Sequence, residues 1–358
     1  MSDQAGSAAR LALPRDDPVR VPAEQPDQMT TREPPSRRTL LLLVGTVAGS
    51  LAARKLQAAP ELMIGGPVKR ASLHWNWRDL TPWPPSRGQP EPPSVTLLNA
   101  PLEVTGEWGN SLHSSVATVI ARMREACLAE VRLLSDRQPS GLRVEDRPSG
   151  PPFIWLHDHP SRVAWIIVDV HGTFWCQLAY QFGHELGHVL DNSWDPDSKP
   201  RQPCQWLEED LAQAFSLRGL GKLADSWEQR PVFNDATYAN AIRQYRSDVI
   251  ETHEKMASEQ MRDFRLDAWF REYRSALEKQ QSLVDGPSRA AVPSLLHEFE
   301  ADPRSVEDIG ALNRWPEKTG VPIEQYMRLW TKSCDEIGAA GRLPKRLVDL
   351  LGLSRAEP

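Results

Sequence analysis

The segment His184-Glu185-Leu186-Gly187-His188 constrains the fold of this 358-residue chain more than any other. It lies in a run whose apolar residues recur at helical spacing, namely Leu178, Phe182, Leu186, Val189 and Leu190. That spacing predicts an amphipathic helix with one face to bury. Residues four positions apart project from the same side of a helix, so His184 and His188 are expected to lie next to each other.

Two neighbouring imidazoles are a common pair of zinc ligands, each binding the ion through a nitrogen at about 2.0–2.1 Å. Glu185 lies one residue after His184, about 100° around the helix. Its carboxylate can therefore face a metal-bound water without binding the metal itself. The H-E-x-x-H spacing predicts a zinc hydrolase with Glu185 as the general base. The alternative is an amphipathic helix that carries two solvated histidines.

Two glycines, Gly183 and Gly187, interrupt this helix. Inside a helix a glycine costs about 1 kcal/mol relative to alanine. Both positions therefore predict that another element packs, or a ligand binds, close to the helix backbone.

A catalytic zinc site usually has three protein ligands and an open fourth position for water. The third ligand is expected from a second helical stretch, Gln205 to Phe215, which follows two prolines. Glu209 comes 21 positions after His188 (188 to 209), which leaves room for a turn and a second helix packed against the first. Glu208 is an alternative ligand. Both glutamates also suit an acidic first turn, which the helix dipole favours.

These segments together resemble the gluzincin metallopeptidases, the group that contains thermolysin and the aminopeptidase-N type enzymes. In the latter, a Trp-Leu-x-Glu-Gly helix supplies the third zinc ligand, and Trp206-Leu207-Glu208-Glu209 matches it with Glu209 as that ligand. The chain departs from the pattern, because Asp210 replaces the glycine and no Gly-x-Met-x-Asn segment lies upstream. The resemblance covers roughly residues 150 to 225. It implies a distant relative that binds one zinc ion through His184, His188 and Glu209 and acts on a peptide or protein.

An apolar, β-branched run from Arg162 to Val170 precedes the helix and predicts a buried strand. In gluzincins, the strand ahead of the active helix is the edge along which the substrate backbone lies, and the resemblance implies that role here. Asp191, three positions after His188, is a candidate to orient an imidazole through a hydrogen bond. An ordinary acid near a helix end is the alternative.

Further candidates have no spacing that selects among them. Three histidines flank the strand, namely His157, His159 and His171. A residue that stabilises the negatively charged tetrahedral intermediate of peptide hydrolysis is expected from the helical region that follows, where the candidates are Tyr238, Tyr245, His253 and Tyr273.

The order of patterns predicts an α+β fold, with a small strand-containing N-terminal lobe that carries the H-E-x-x-H helix and a mainly α-helical C-terminal half. Residues 95–230 are predicted to form the zinc peptidase core. This core begins with a short strand pair from Val95, a helix from about Ser111 to Ser135, and strands near Arg143 and Phe153. Residues 231–358 are predicted to form a helical subdomain, with a long helical run from about Ala236 to Leu283.

The N-terminal part of the chain predicts export. Residues 1–35 are polar and Pro-rich, which predicts a disordered tail. Residues 36–59 contain Arg37-Arg38 followed by an uncharged, Leu-rich stretch, which is typical of a twin-arginine signal or a membrane anchor. We therefore expect a location in the periplasm or on the outer face of the bacterial inner membrane, with a possible membrane tether through residues 39–59. A helix of a soluble fold is the alternative. Residues 60–94 are rich in Trp and Pro, which predicts a linker.

Composition narrows the remaining functions. The net charge of −6 gives no basic surface for a nucleic acid. None of the four cysteines forms a C-x-x-C pair, so no cysteine zinc site is expected. If the two site helices run antiparallel, Cys176 and Cys204 lie too far apart for a disulfide. The competing hypotheses are a non-catalytic exported zinc-binding protein and a metal-free structural or interaction protein.

Overall fold

The computed structural model describes residues 96–109, 111–131, 138–147, 150–155, 163–170, 173–191, 199–233, 235, 237–279, 287–312, 314 and 318–353. Its strands are β1 (Leu102–Thr105), β2 (Gly141–Asp146), β3 (Phe153–Trp155) and β4 (Val163–Val168). Its helices are α1 (Thr96–Asn99), α2 (His113–Cys127), α3 (Trp175–Leu190), α4 (Gln205–Gln229), α5 (Thr237–Gln260), α6 (Leu266–Lys279), α7 (Val292–Ala301), α8 (Val306–Ile309), α9 (Ile323–Ile337) and α10 (Arg342–Leu350). A small sheet with many helices is the predicted α+β class.

The four strands form one mixed sheet in the order β1-β2-β4-β3. β1, β2 and β4 are parallel, whereas β3 runs antiparallel to β4. The predicted strand pair near Val95 is wrong, because β1 pairs with β2 rather than with a neighbour in sequence, and a short helix, α1, occupies Thr96–Asn99. Helix α2 connects β1 to β2, as a parallel pair requires.

Strand β4 contains most of the predicted run from Arg162 to Val170, and it is buried as expected. It is not an edge, because β2 pairs with one side of it and Phe153–Trp155 pairs with the other. The role of substrate edge that the resemblance implied for this strand is therefore wrong. Among the described strands, β3 and β1 are the edges, and β3 is the one next to β4.

Alternate residues of the sheet face the helices. Leu142, Val144, Ala164 and Ile166 are at most 1% exposed and contribute to a single apolar cluster that includes both Leu97 and Leu351. The helices after residue 231 therefore share one core with the strands. Helix α4 is central to that core, since it packs against α2, α3, α5 and α7.

Several predicted boundaries differ from the structure. Helix α2 spans His113–Cys127 and is shorter than predicted. The predicted run from Ala236 to Leu283 consists of two helices, α5 and α6, separated at residues 261–265. The tail, the signal and the linker at residues 1–94 lie outside the described residues. Within the described part of the chain, no helix is both long and apolar enough to cross a membrane.

Candidate metal centre

The two helices predicted to hold a metal pack directly against each other. His184 and His188 lie on α3 and Glu209 lies in the second turn of α4. Their side-chain ligand atoms form the one group of His, Cys, Asp and Glu in the described residues that could hold a metal ion. The sequence prediction that these three residues meet therefore agrees with the structure.

The three ligand atoms form a nearly equilateral triangle. Nε2 of His184 lies 3.2 Å from Nε2 of His188, and Oε2 of Glu209 lies 3.4 Å from each of these nitrogens. Tetrahedral ligands about 2.0–2.1 Å from a zinc ion are separated by about 3.3–3.4 Å. The triangle therefore has the size that three of four zinc ligands require.

The hydrogen bonding of the cluster also fits a cation. Both carboxylate oxygens of Glu209 are buried and neither has a hydrogen-bond partner, although two imidazoles lie close by. Buried polar atoms without partners are rare in folded proteins and often mark an ion, a water or a catalytic group. A metal ion between the three side chains would satisfy them.

The buried acidic residues around the triangle also favour a bound cation. Five carboxylates in this region are at most 2% exposed, namely Glu185, Asp191, Glu208, Glu209 and Asp210. Arg289 is a buried cation whose charge acts on both His184 and Asp210. Burial keeps Glu185 largely protonated near pH 7 and Asp210 partly so, so the charge that a divalent cation would balance is that of Glu209 and its remaining acidic neighbours.

The ionisable groups of the triangle are strongly perturbed. Burial lowers the pKa of His184 to about 4. Burial alone would also lower the pKa of His188, but Glu209 and Asp191 raise it well above its usual value. Burial would raise the pKa of Glu209, but His188 and His184 lower it instead. His184 is therefore neutral and Glu209 is ionised near pH 7, and these are the forms that bind a metal.

Glu185 lies beside the triangle but does not belong to it. It is fully buried, and neither of its carboxylate oxygens has a hydrogen-bond partner. Burial raises the pKa of Glu185 to about 8, with a smaller opposite effect from His188. A buried carboxyl group whose pKa lies near neutrality suits a group that takes up and releases a proton.

Asp191, the predicted orienting residue, lies near the outer nitrogen of His188. Its Oδ2 is 3.5 Å from Nδ1 of His188, a separation too long for a hydrogen bond of good geometry. The carboxylate nevertheless favours the protonated imidazole. Asp191 is thus placed to orient His188, and small side-chain movement would close the contact.

The two helix glycines are explained by close packing, as predicted. A Cβ atom on Gly187 would lie 3.1 Å from Cα of Ala212 and 3.3 Å from the ring of Phe215. A Cβ atom on Gly183 would lie 2.8 Å from Oγ of Ser216. A Cβ atom on Gly183 would lie closer still, 2.5 Å, to Cε of Met123 on α2. Gly187 therefore sets how closely α3 approaches α4, and Gly183 makes room for both α2 and α4.

Glu208, the alternative ligand, points away from the triangle. Its Oε1 accepts a hydrogen bond of 2.5 Å from the hydroxyl of Tyr326 on α9. Asp210 also turns elsewhere, since both of its carboxylate oxygens accept from the backbone N–H of Arg289, at 3.0 and 3.2 Å. Sequence analysis did not identify Tyr326, Asp210 or Arg289 as neighbours of the site, because no motif links such distant positions.

The candidates for stabilising an intermediate lie in different surroundings. Tyr238 packs edge-on against Trp227, with ring centroids 4.7 Å apart, and the hydroxyl of Tyr273 donates to the carbonyl of Gln260 at 3.4 Å. Tyr245 contacts the ring of Tyr180, one helical turn before His184.

His253 shares one feature with Tyr238 and Tyr245, whose buried hydroxyls also have no hydrogen-bond partner. It is fully buried, and neither of its ring nitrogens has a hydrogen-bond partner. Burial, and then the charge of Arg289, lower its pKa to about 3. The charge of Arg289 also acts on His184. His157, His159 and His171 lie outside the described residues.

The four cysteines lie apart from the triangle, and all are free thiols. Cys127 packs against Gly183 and Gly219, and Cys204 donates to the carbonyl of Val321 at 3.5 Å.

Comparison with known proteins identifies no relative: no family model matches the chain, and neither a curated protein nor a solved structure is similar to it. Any conclusion about function therefore rests on the geometry of this centre.

Proposed function

We propose that this chain is a zinc-dependent peptidase that hydrolyses peptide bonds. His184, His188 and Glu209 would bind one zinc ion, and Glu185 would act as the general base. The substrate would be a peptide or protein. In this proposal the strands and helix α3 belong to an N-terminal lobe that carries the reaction, and the helices after residue 231 form the C-terminal half.

The observation that carries the proposal is Glu185 beside a triangle of zinc dimensions. A purely structural site has no use for an additional carboxyl group buried next to its ligands, because a buried polar group without a hydrogen-bond partner destabilises the fold. Here the chain keeps one, with both oxygens lacking partners. A role in proton transfer explains why the chain keeps this carboxyl group although its burial lowers the stability of the fold.

The chemistry follows from the residue types. Zinc bound at such a site supplies a water whose pKa is lowered toward about 7 and a positive charge that polarises a carbonyl. Glu185 accepts a proton as the water attacks the scissile carbonyl. The same carboxyl group then gives this proton to the leaving nitrogen, so that one residue serves as base and as acid.

A non-catalytic zinc protein is the second candidate, and the burial of the centre favours it. All three triangle residues are at most 2% exposed, as they would be if the metal only joined α3 to α4. This candidate predicts a fourth protein ligand and no hydrolysis.

Two variants of the full chain separate these candidates. We expect Glu185→Gln to retain one zinc per chain and to lose nearly all cleavage of an unstructured protein such as casein. His184→Ala should lose both the zinc and the cleavage. Zinc content is measured by elemental analysis and cleavage by release of peptides. Turnover like that of the wild type in Glu185→Gln would refute the proposed mechanism, whereas stoichiometric zinc in an inactive wild-type chain would favour the non-catalytic protein.

A further inference from the structure

Three consecutive acidic residues occupy the fourth to sixth positions of helix α4, and all three are buried. Glu208, Glu209 and Asp210 are 1%, 2% and 0% exposed. Successive residues on a helix point about 100° apart, so these side chains leave α4 in three directions. The middle one points at the two histidines, and each outer one meets a different part of the chain after residue 287.

The contact on one side is with helix α9. The hydroxyl of Tyr326 donates to Oε1 of Glu208 at 2.5 Å, although the two residues are 118 positions apart. Tyr326 is 1% exposed, so water does not replace this bond when it is lost. Losing a buried hydrogen bond leaves its partner without a replacement, which destabilises the fold.

The contact on the other side is with the turn before α7. Both oxygens of Asp210 accept from the backbone N–H of Arg289, which has a φ of 77°. A residue other than glycine adopts this left-handed conformation only where its surroundings enforce it. The turn is thus shaped around the Asp210 carboxylate.

We propose that Tyr326 and Asp210 are positioning residues that fix the rotation of the first turns of α4 and so keep Glu209 in the metal triangle. A carboxylate about 6 Å from the helix axis moves by about 0.5 Å when the helix turns by about 5°. Zinc sites tolerate deviations of only about 0.2 Å in ligand distance. The two contacts hold the helix from opposite sides of Glu209 against such a turn.

This inference rests on the metal centre of the proposed function, and it gives the C-terminal helices a role in metal binding. Neither Tyr326 nor Asp210 touches the ion in this arrangement. They act through Glu209, and their loss should change metal affinity and geometry as well as stability.

The experiment compares zinc affinity in the full-length wild type and four variants, by competition with a chromogenic chelator. Tyr326→Phe and Asp210→Asn remove or weaken one contact each. Glu208→Gln keeps an oxygen that accepts from Tyr326. Val144→Ala, a buried residue of β2 that belongs to neither contact, controls for loss of stability, which urea unfolding measures for each variant. The absorption spectrum of cobalt(II) in the same site reports ligand geometry.

We expect zinc affinity to fall about 10- to 100-fold in Tyr326→Phe and Asp210→Asn, the range found for residues that orient metal ligands. Their cobalt spectra should change, whereas Glu208→Gln should lose less affinity and Val144→Ala should stay within twofold of the wild type. Wild-type affinity and spectrum in both contact variants would overturn the proposal, and so would an equal loss in Val144→Ala. A wild-type chain that binds zinc but cleaves nothing would refute the peptidase alone, and one that binds no zinc would refute both.

Discussion

The short distance between α3 and α4 at Gly187 should determine the affinity of the chain for a metal ion. In Gly187→Ala the new Cβ atom would lie 3.1 Å from Cα of Ala212, 3.2 Å from its Cβ and 3.3 Å from Cδ1 of Phe215. Carbon atoms in favourable contact are about 3.5–4.0 Å apart. Because Ala212 presents backbone at the contact, a side-chain rotation cannot relieve it, and the helices must separate by about 0.3–0.5 Å.

That displacement would occur next to two of the candidate metal ligands. Gly187 adjoins His188, and Ala212 lies one helical turn after Glu209. A shift of about 0.3–0.5 Å exceeds the tolerance of about 0.2 Å for a zinc ligand, so we expect zinc affinity to fall about 10- to 100-fold, which corresponds to about 1.4–2.8 kcal/mol. The stability of the metal-free chain should change less, because overpacking costs about 1–3 kcal/mol while alanine recovers about 1 kcal/mol of helix propensity.

The measurements are zinc affinity by chelator competition and the free energy of unfolding in urea with chelator present. Gly221→Ala on α4 is the matched control, since its Cβ atom would lie 3.4 Å from Nε of Arg246, an ordinary contact distance to a side-chain atom. It should gain about 0.5–1 kcal/mol of stability and keep its zinc affinity. A Gly187→Ala chain that binds zinc within twofold of the wild type and is no less stable would refute the reasoning.

Two further predictions test other parts of the chain. Burial lowers the pKa of Lys318 to about 7, so between about pH 7 and 10.5 this side chain binds more protons in the unfolded chain than in the folded one, and its own contribution to stability rises with pH. The free energy of unfolding in urea is measured for Lys318→Met and for the wild type at both ends of a pH range. The difference, variant minus wild type, should fall by about 2 kcal/mol from pH 7 to pH 9. A constant difference would contradict this pKa. In the N-terminal segment, replacing Arg37 and Arg38 by lysines should block export of the full chain in a bacterial host that has the twin-arginine route. Unchanged accumulation of the variant in the periplasm, measured by cell fractionation, would contradict the predicted signal.

The parts of the site that sequence could predict are those set by local geometry. The spacing of His184 and His188 places both imidazoles on one face of a helix whatever surrounds it. The cost of glycine in a helix predicts close packing at Gly183 and Gly187. The approximate position of the third ligand follows from the length of chain needed to turn and start a second helix.

The sheet was harder to predict, because its order depends on pairing between distant segments. β3 has only three residues, Phe153–Trp155, which is too short for a period of two to be visible. Yet this short strand pairs with Trp165–Ile167 and makes β4 an interior strand. A buried run of β-branched residues indicates that a strand is covered on its faces, but it does not show whether its hydrogen-bonding edges are also covered.

Local sequence patterns could not decide whether Glu208 or Glu209 is the candidate third ligand. Both residues lie in the same helix, and their side chains differ by about 100° of rotation about its axis. That rotation is decided by Tyr326 and Arg289, which are 118 and 79 positions away from their partners on α4. Residues so distant leave no periodic signal in a single sequence. A helix that presents Glu209 to the histidines must also turn Glu208 and Asp210 toward the chain after residue 287. The triangle therefore depends on the hydroxyl of Tyr326, which donates to Glu208, and on the backbone N–H of Arg289, which donates to Asp210, as well as on the two histidines.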